Sequence, residues 1–471
     1  MNHKLKLMIS ILSPLLVLLM PSSWIPVQGL SPIEHRLIAI FVFALMFWIF
    51  EPIPVFATSV LIIVLELLMI SDRSFLPFRP APGAIHFGTV LSYKAIMGTF
   101  ASPIIMLFLG GFFLAMAATK YQLDTNMARV ILRPFGRRPQ YVLLGLMLIT
   151  AVFSMFMSNT ATTAMMLAIL GPVLKSFDPG DPGKNAFVLG IPFAANVGGI
   201  GTPIGTPPNA IAMKYLVGPN AIGFGEWMSF ALPLAVILLL FTWLLLVRFY
   251  KPAKETIHIL IEGQFRRNWQ TLTVCVTFAV TLLFWLFDSL HGMNAYMVAM
   301  LPVGVFTATG IISPKDLKRL NWDVLWLVAG GIALGMGLEK TGLAKHLIES
   351  IPFQSFSPFL VLCMATLIAI GMASFISNTA TANLLMPIMA ALGSSITMLE
   401  PLGGAKMILV AVAISCSLGM SLPISTPPNA MAHAMGEIET RYMFRAGSVV
   451  GGVGLVALYL LIFILIRVGF L

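Results

Sequence analysis

Two short polar segments stand out in an otherwise apolar chain, and each is written twice. FMSNTATT ends at Thr163 and FISNTATA ends at Ala382, while GTPPNA covers 205–210 and STPPNA covers 425–430. Ser-Asn-Thr supplies two hydroxyls and one carboxamide, neutral groups that both donate and accept. At the tip of a hairpin, with the amides and dipole of a returning helix behind it, such a triplet favours an anion. Carbonyls of the arriving helix, with Ser Oγ and Asn Oδ1, also offer a neutral oxygen cage to a hard monovalent cation. Neither motif holds Asp or Glu. Calcium and magnesium sites usually recruit carboxylates, so Na⁺ fits the donor set better. No Arg or Lys lies there either, so an anion would depend on hydroxyls, amides, helix ends and co-bound cations.

Pro-Pro in each TPPNA removes two amide donors and halts a helix. A helix broken within a membrane survives only when buried in protein or lining a wet cavity. The glycines of GGIGTPIG (198–205) allow tight turns there and expose carbonyls and amides. A plain proline kink, or Ser, Thr and Asn acting as glue between membrane helices, would account for one copy. Duplication of both motifs argues against that. The residue two after each Asn is Ala, so SNT is not a glycosylation signal.

The elements that must position these motifs are membrane spans. The 471 residues are 58% hydrophobic and 10% charged, with a mean hydropathy of +0.95, more apolar surface than a soluble core can hide. The fold class is therefore all-α and polytopic. Eleven full spans are expected, at 5–24, 36–51, 55–71, 101–120, 186–215, 228–248, 269–287, 294–312, 322–339, 407–433 and 446–467. Two stretches, 140–176 and 356–396, are too long for one crossing and are interrupted by SNT, so each is expected to re-enter as a hairpin. The start of the chain resembles a signal peptide, with Lys4 and Lys6 before an apolar run. No small-x-small site follows closely, and it is kept as the first transmembrane helix.

With the N-terminus in the cytoplasm and both SNT stretches as hairpins, 19 of the 28 Lys and Arg fall on the cytoplasmic side, as the positive-inside rule requires. The net charge of +10 is then a matter of topology and lipid contact, and no nucleic acid partner is expected. An amphipathic piece, 123–138, is expected along the cytoplasmic interface. Cys275, Cys363 and Cys416 have no metal-ligand spacing and read as packing residues. Lys120 and Lys340 read as snorkelling span ends, Glu51 as an interfacial cap, and His433 as a satisfied histidine at a helix end.

Three landmarks recur at one offset. Gly110-Gly111 returns as Gly330-Gly331, SNT returns 219 residues on, and TPPNA returns 220 on. Each half carries five spans and a hairpin, and an odd number inverts the second half. The organisation expected is an N-terminal helix at 1–34 outside the repeat and repeat 1 at 35–250, with hairpin 140–176 and broken helix 186–215. A cytoplasmic linker at 251–268 follows, then repeat 2 at 269–471 with hairpin 356–396 and broken helix 407–433. Inverted repeats with interrupted helices point to a transporter with its site near the midplane.

The duplicated SNT, each followed after about fifty residues by PPN, resembles the divalent anion/sodium symporters, carriers of dicarboxylates, citrate and sulfate. GGFFLAMA (110–117) and GGIALGMGLEKTGL (330–343) extend the resemblance from about residue 35 to the end. It implies a homodimer working as an elevator, with substrate carboxylates between the two SNT tips and Na⁺ beside each. Implied substrate contacts are Ser158, Asn159, Thr160, Ser377, Asn378 and Thr379, with Thr206, Pro207, Thr426 and Pro427 lining the site. The first cation site would use Ser154, Ser158 and Asn159 with carbonyls from Gly201 to Gly205. The second would use Asn378, the backbone near Ser374 and Ser377, and the segment around Ser425. Ala373 stands where symmetry with Ser154 asks for a hydroxyl.

The expected function is Na⁺-coupled import of a small di- or tricarboxylate such as succinate, malate, fumarate or citrate. The alternatives are Na⁺-independent carboxylate exchange and sodium/sulfate symport, with a passive anion channel more distant. No enzyme is expected: HExxH is absent, and Ser154, Ser158 and Ser377 have no nearby His or Lys base. The lysine and arginine bias places the chain in a cell inner, cytoplasmic membrane as a multi-pass protein.

Overall fold

A computed structural model describes residues 3–25, 27, 29–80, 86–178, 180–257, 268–350, 356–395 and 397–470. Residues 258–267 of the expected linker and residue 396 of the second hairpin lie outside the described residues. Among the described residues all regular elements are helices, with one isolated bridge between Ser71 and Leu91. The principal helices of the first half are α1 (His3–Leu19), α2 (Pro32–Phe50), α3 (Val55–Met69), α4 (Pro103–Lys120), α5 (Leu123–Leu132), α6 (Pro139–Ser154), α7 (Asn159–Leu174), α8 (Gly183–Ile200), α9 (Pro207–Tyr215) and α10 (Phe224–Phe249). Those of the second are α11 (Trp269–Leu286), α12 (Met300–Ala308), α13 (Trp322–Thr341), α14 (Pro358–Phe375), α15 (Asn378–Ser395), α16 (Gly404–Leu418), α17 (Pro427–Ala434) and α18 (Thr440–Val468).

Helix starts follow local chemistry. Ser31 and Glu34 form a reciprocal capping box at α2, with Pro32 in the first turn. Ser102 and Ser357 cap α4 and α14, accepting from the amides of Ile104 and Leu360. The breaks fall where donors are missing. Before Pro207-Pro208, α8 stops at Ile200, and before Pro427-Pro428, α16 stops at Leu418. Each SNT separates two helices that pack against one another, α6 from α7 and α14 from α15.

Seven described helices are long and apolar enough to cross a membrane: α2, α4 with the turn leading into it from Tyr93, α10, α11, α13, α14 and α18. The expected span 294–312 is divided into Ala295–Val298 and α12. Other expected spans are shorter or interrupted. One arm of the second expected hairpin, α14, reaches spanning length by itself. Length and composition do not register the SNT break that follows it.

The apolar core forms two bodies. One is built from α6–α8, α10, α14–α16 and α18, through side chains such as Leu146, Phe187, Trp227, Leu409 and Leu458. The other is built from α2–α4 and α11–α13, around Leu37, Trp48, Trp285, Phe306 and Val328. Ile204, Ala210, Ile376, Ala380 and Leu384, from the breaks and the helices after them, pack into this second body and mark the seam. The repeated Gly-Gly pairs sit at the seam in matching ways. Gly110 abuts the backbone of Ala299, and Gly330 abuts Ser59, each within the second body. Gly111 faces Ile204, and Gly331 faces Asn383, each across to the first body. A side chain at Gly110, Gly330 or Gly331 would hold the helices apart, whereas a Cβ at Gly111 would only touch Ile204, at 3.7 Å. The Leu327 carbonyl accepts from Ser59 Oγ at 3.3 Å and Asn383 Nδ2 at 3.2 Å, joining both bodies through α13.

Three polar expectations are settled here. Glu51 does cap α2, in a left-handed conformation at φ 46°. Lys120 does not snorkel freely: its Nζ lies 2.6 Å from Asp316 Oδ2 and donates to the Ile311 carbonyl at 2.7 Å. His433 is not satisfied, since its Nδ1 is buried with no hydrogen-bond partner among the described residues.

Candidate functional site

Both SNT triplets and both Thr-Pro-Pro segments line one cavity of about 240 Å³ at the seam. All ten residues expected to contact substrate are on its wall: Ser158, Asn159, Thr160, Thr206, Pro207, Ser377, Asn378, Thr379, Thr426 and Pro427. Gly205 and Ser425 join them, and the second body closes the space with Val55, Phe108, Phe112, Asn321, Asp323, Val324 and Leu327. The remaining expected cation ligands divide. Ser154 and Gly201 are buried behind the wall. The Ser374 hydroxyl is not brought to the cavity, because it donates to the Ile370 carbonyl of its own helix at 2.8 Å.

The cavity receives the first turns of α7 and α15. Ser158 Oγ accepts from the Ala161 amide and Ser377 Oγ from the Ala380 amide, each at 3.2 Å. These caps leave the positive ends of two long helices facing the cavity.

Behind the first triplet, oxygens crowd together. Ser154 Oγ lies 2.5 Å from Asn159 Oδ1 and 2.8 Å from the Ala195 carbonyl. One hydroxyl proton serves two acceptors, so one oxygen lone pair there stays undonated. The broken segment crosses over this cluster. A Cβ on Gly199 would lie 2.9 Å from both Asn159 Oδ1 and the Gly205 carbonyl. Asn209, the Asn of TPPNA, fixes the segment: its Nδ2 donates to the carbonyls of Gly199 and Ile200 at 3.2 Å and of Thr202 at 2.9 Å. Thr202 Oγ1 donates to the Met155 carbonyl at the hairpin tip and accepts from the Gly205 amide at 3.0 Å.

The second half repeats the device. Asn429 Nδ2 donates to the Met420 carbonyl at 2.7 Å, the Leu422 carbonyl at 3.1 Å and Ser425 Oγ at 3.3 Å. Asn196, on α8 of the first half, reaches across to Thr426 Oγ1 and Asn429 Oδ1, both at 3.2 Å. Ala373 packs against Gly419, where a Cβ would lie 2.5 Å from the Ala373 methyl. The side chain that differs from Ser154 thus permits a tight backbone approach. Buried acceptors with no hydrogen-bond donor among the described residues gather in this region: Asn196 Oδ1, Asn209 Oδ1 and Asn378 Oδ1. Buried polar atoms are normally paired, so orphan oxygens beside a cavity are what a desolvated cation would use.

Sequence reasoning missed Asn196, Asn321 and Asp323. Asn196 carried a readable signal, a carboxamide inside the apolar run FAANVGG. Asp323, in the first turn of α13, is the one ionisable residue on the cavity wall among the described residues.

Residues 45–405 match the family model described as citrate transporter (CitMHS). The chain belongs to the citrate transporter family. Members of the divalent anion/sodium symporter group, which its motifs resemble, are among its relatives. The sodium-dependent dicarboxylate transporter SdcS of Staphylococcus aureus strain RF122/ET3-1 is 30% identical over 492 residues, covering 96% of this chain and 90% of that one. SdcS of Staphylococcus saprophyticus is 29% identical over 496 residues, covering 97% and 90%. The inorganic phosphate transporter PHO87 of Saccharomyces cerevisiae is 29% identical over 411 residues, covering 86% of this chain but 43% of its own length. The chain spans less than half the length of the first curated relatives it matches, both fungal. The solved YdaH transporter of Alcanivorax borkumensis shares the fold, with a TM-score of 0.54 at 14% identity over 88% of this chain and 99% of that one. This citrate transporter family member is a multi-pass membrane protein, with seven described helices long and apolar enough to cross a membrane.

Proposed function

We propose that the chain imports a small di- or tricarboxylate, of the succinate, malate, fumarate or citrate type, together with Na⁺. The observation that carries this reading is the convergence of both SNT tips and both broken helices, whose motif side chains are all neutral, on one cavity. At about 240 Å³ it is smaller than the roughly 300–1,000 Å³ usual for drug-sized ligands, which suits a compact metabolite. Two helix N-termini there favour two separated carboxylates, one at each tip. The oxygen cluster of Ser154, Asn159 and Ala195 is the proposed first Na⁺ site. The second would rest on Asn378, backbone carbonyls near Ser374 and Ser377, and Ser425. The staphylococcal relatives are named sodium-dependent dicarboxylate transporters, which supports both.

The motion proposed is an elevator, in which the body holding the hairpins and broken helices slides along the seam against α2–α4 and α11–α13. In this reading the halves 35–250 and 269–471 are inverted repeats, the assembly is a homodimer, and the N-terminus is cytoplasmic in an inner membrane. A second reading, Na⁺-independent exchange or carriage of an inorganic oxyanion, is favoured by two findings. Ala373 and the inward-bonded Ser374 weaken the second cation site, and one relative is named a phosphate transporter.

Proteoliposome uptake of radiolabelled succinate, under an inward Na⁺ gradient or an equal choline gradient, separates them. Na⁺-dependent accumulation is expected. Uptake that needs only internal succinate would make the chain an exchanger, and uptake of phosphate alone would overturn the carboxylate reading. Asp323 supplies a further test, because its charge repels an anion and attracts a cation. Asp323→Asn is expected to lower the succinate KM and raise the Na⁺ half-saturation, each by about threefold. Shifts of the same sign would exclude a charge effect.

A further inference from the structure

A second cavity, of about 300 Å³, adjoins the first and shares Phe112, Ser158 and Asn321 with it. Its other wall carries Thr119 and Lys120 at the end of α4, and Asp316 and Arg319 in the turn before α13. Lys120 and Asp316 cancel one another across 2.6 Å. Burial opposes the charge on Asp316, but hydrogen bonds from Lys120, Ser313 Oγ and the Ser313 amide outweigh it and hold the carboxyl down at about 2. Asp316 is thus ionised at neutral pH. Arg319 is different: its side chain is exposed and has no ion pair among the described residues. The lining therefore carries one uncompensated positive charge, whereas the central cavity carries one negative charge, at Asp323. Between the two, Asn321 Nδ2 and Ser158 Oγ stand 3.5 Å apart, a contact too long to cost much on opening.

We propose that Arg319 and its cavity form a second, weaker carboxylate subsite, an antechamber between the membrane face bearing residues 313–319 and the SNT site. The inference rests on the carboxylate reading above. A guanidinium presents a planar fork to a carboxylate and stays charged at every working pH. In a wet mouth its attraction is modest, so it concentrates the anion without trapping it. From there the anion moves past Ser158 into a cavity whose helix ends and neutral donors take over.

The test uses the full chain in proteoliposomes, as wild type, Arg319→Gln and Arg319→Lys, with the succinate KM measured from each face. Arg319→Gln is expected to raise the KM about fivefold at the face bearing residues 313–319 and to leave the opposite face unchanged. Arg319→Lys should keep most of the wild-type value. A second readout is independent of turnover. Thr119→Cys, placed on the same wall in a Cys275→Ala, Cys363→Ala background, is reacted with a methanethiosulfonate. Succinate, citrate or phosphate should slow that reaction, and Arg319→Gln should remove the protection. Equal KM values at both faces with unaltered protection would overturn the subsite and leave the proposed function standing. If the wild type moves no carboxylate, the functional reading fails. In that event Arg319-dependent protection by any of the three anions would still support the subsite, and its absence would overturn it.

Discussion

Asn159→Ala and Asn378→Ala are each expected to abolish Na⁺-driven uptake while the protein still inserts and folds. Asn159 Oδ1 belongs to the cluster in which Ser154 Oγ has one proton for two acceptors. Removing the carboxamide lets that proton go to the Ala195 carbonyl, so the fold loses little. Asn378 Oδ1 is buried and accepts no hydrogen bond, so nothing in the described fold depends on that oxygen. What both variants lose is an oxygen for a cation and an amide for a carboxylate. Contacts to charged groups contribute about 1.5–3 kcal/mol each, and every 1.4 kcal/mol is a factor of ten. Losing two such contacts at one tip takes uptake below a measurable level. Uptake in proteoliposomes, with thermal unfolding as the control, decides it. Near wild-type transport in either variant, at unchanged stability, would remove the SNT tips from the site.

The breaks in this fold were legible in the sequence because their causes are local. Pro207-Pro208 and Pro427-Pro428 lack donors whatever surrounds them, and Ser158 and Ser377 cap the next helix with their own side chains. The repeat made the convergence of the four segments legible too, since equivalent breaks belong at one level of a membrane. Features that depend on distant partners were not legible. Lys120 reads as a snorkelling end until Asp316, 196 residues away, is placed beside it. Asp323 enters the cavity only because α13 lies along the seam. Ser374 carries the hydroxyl nearest the position symmetry asks for, yet that hydroxyl turns back onto Ile370. Register on a helix decides that outcome, and a single chain does not announce it.

Gly205→Ala is expected to destroy transport and to destabilise the protein. A Cβ at this position would lie 2.5 Å from the Gly199 carbonyl oxygen and 2.9 Å from the Gly199 Cα. Both are backbone atoms, so no rotamer change relieves the clash. Nor can the segment shift as a whole. Asn209 holds the carbonyls of Gly199, Ile200 and Thr202, and Thr202 is tied to the Met155 carbonyl at the hairpin tip. Overpacking of this kind costs about 1–3 kcal/mol, and relief by displacement would move the carbonyls beside Asn159. A cation site tolerates such movement poorly, because its oxygens must stay at a fixed radius. Gly452→Ala on α18 is the matched control: nothing lies within 4 Å of the added methyl. There the helix should gain stability by up to about 1 kcal/mol, with transport unchanged. If Gly205→Ala carried succinate and unfolded like wild type, the crossed broken segment would not be holding the site together, and the oxygen cluster beneath it would lose its proposed role.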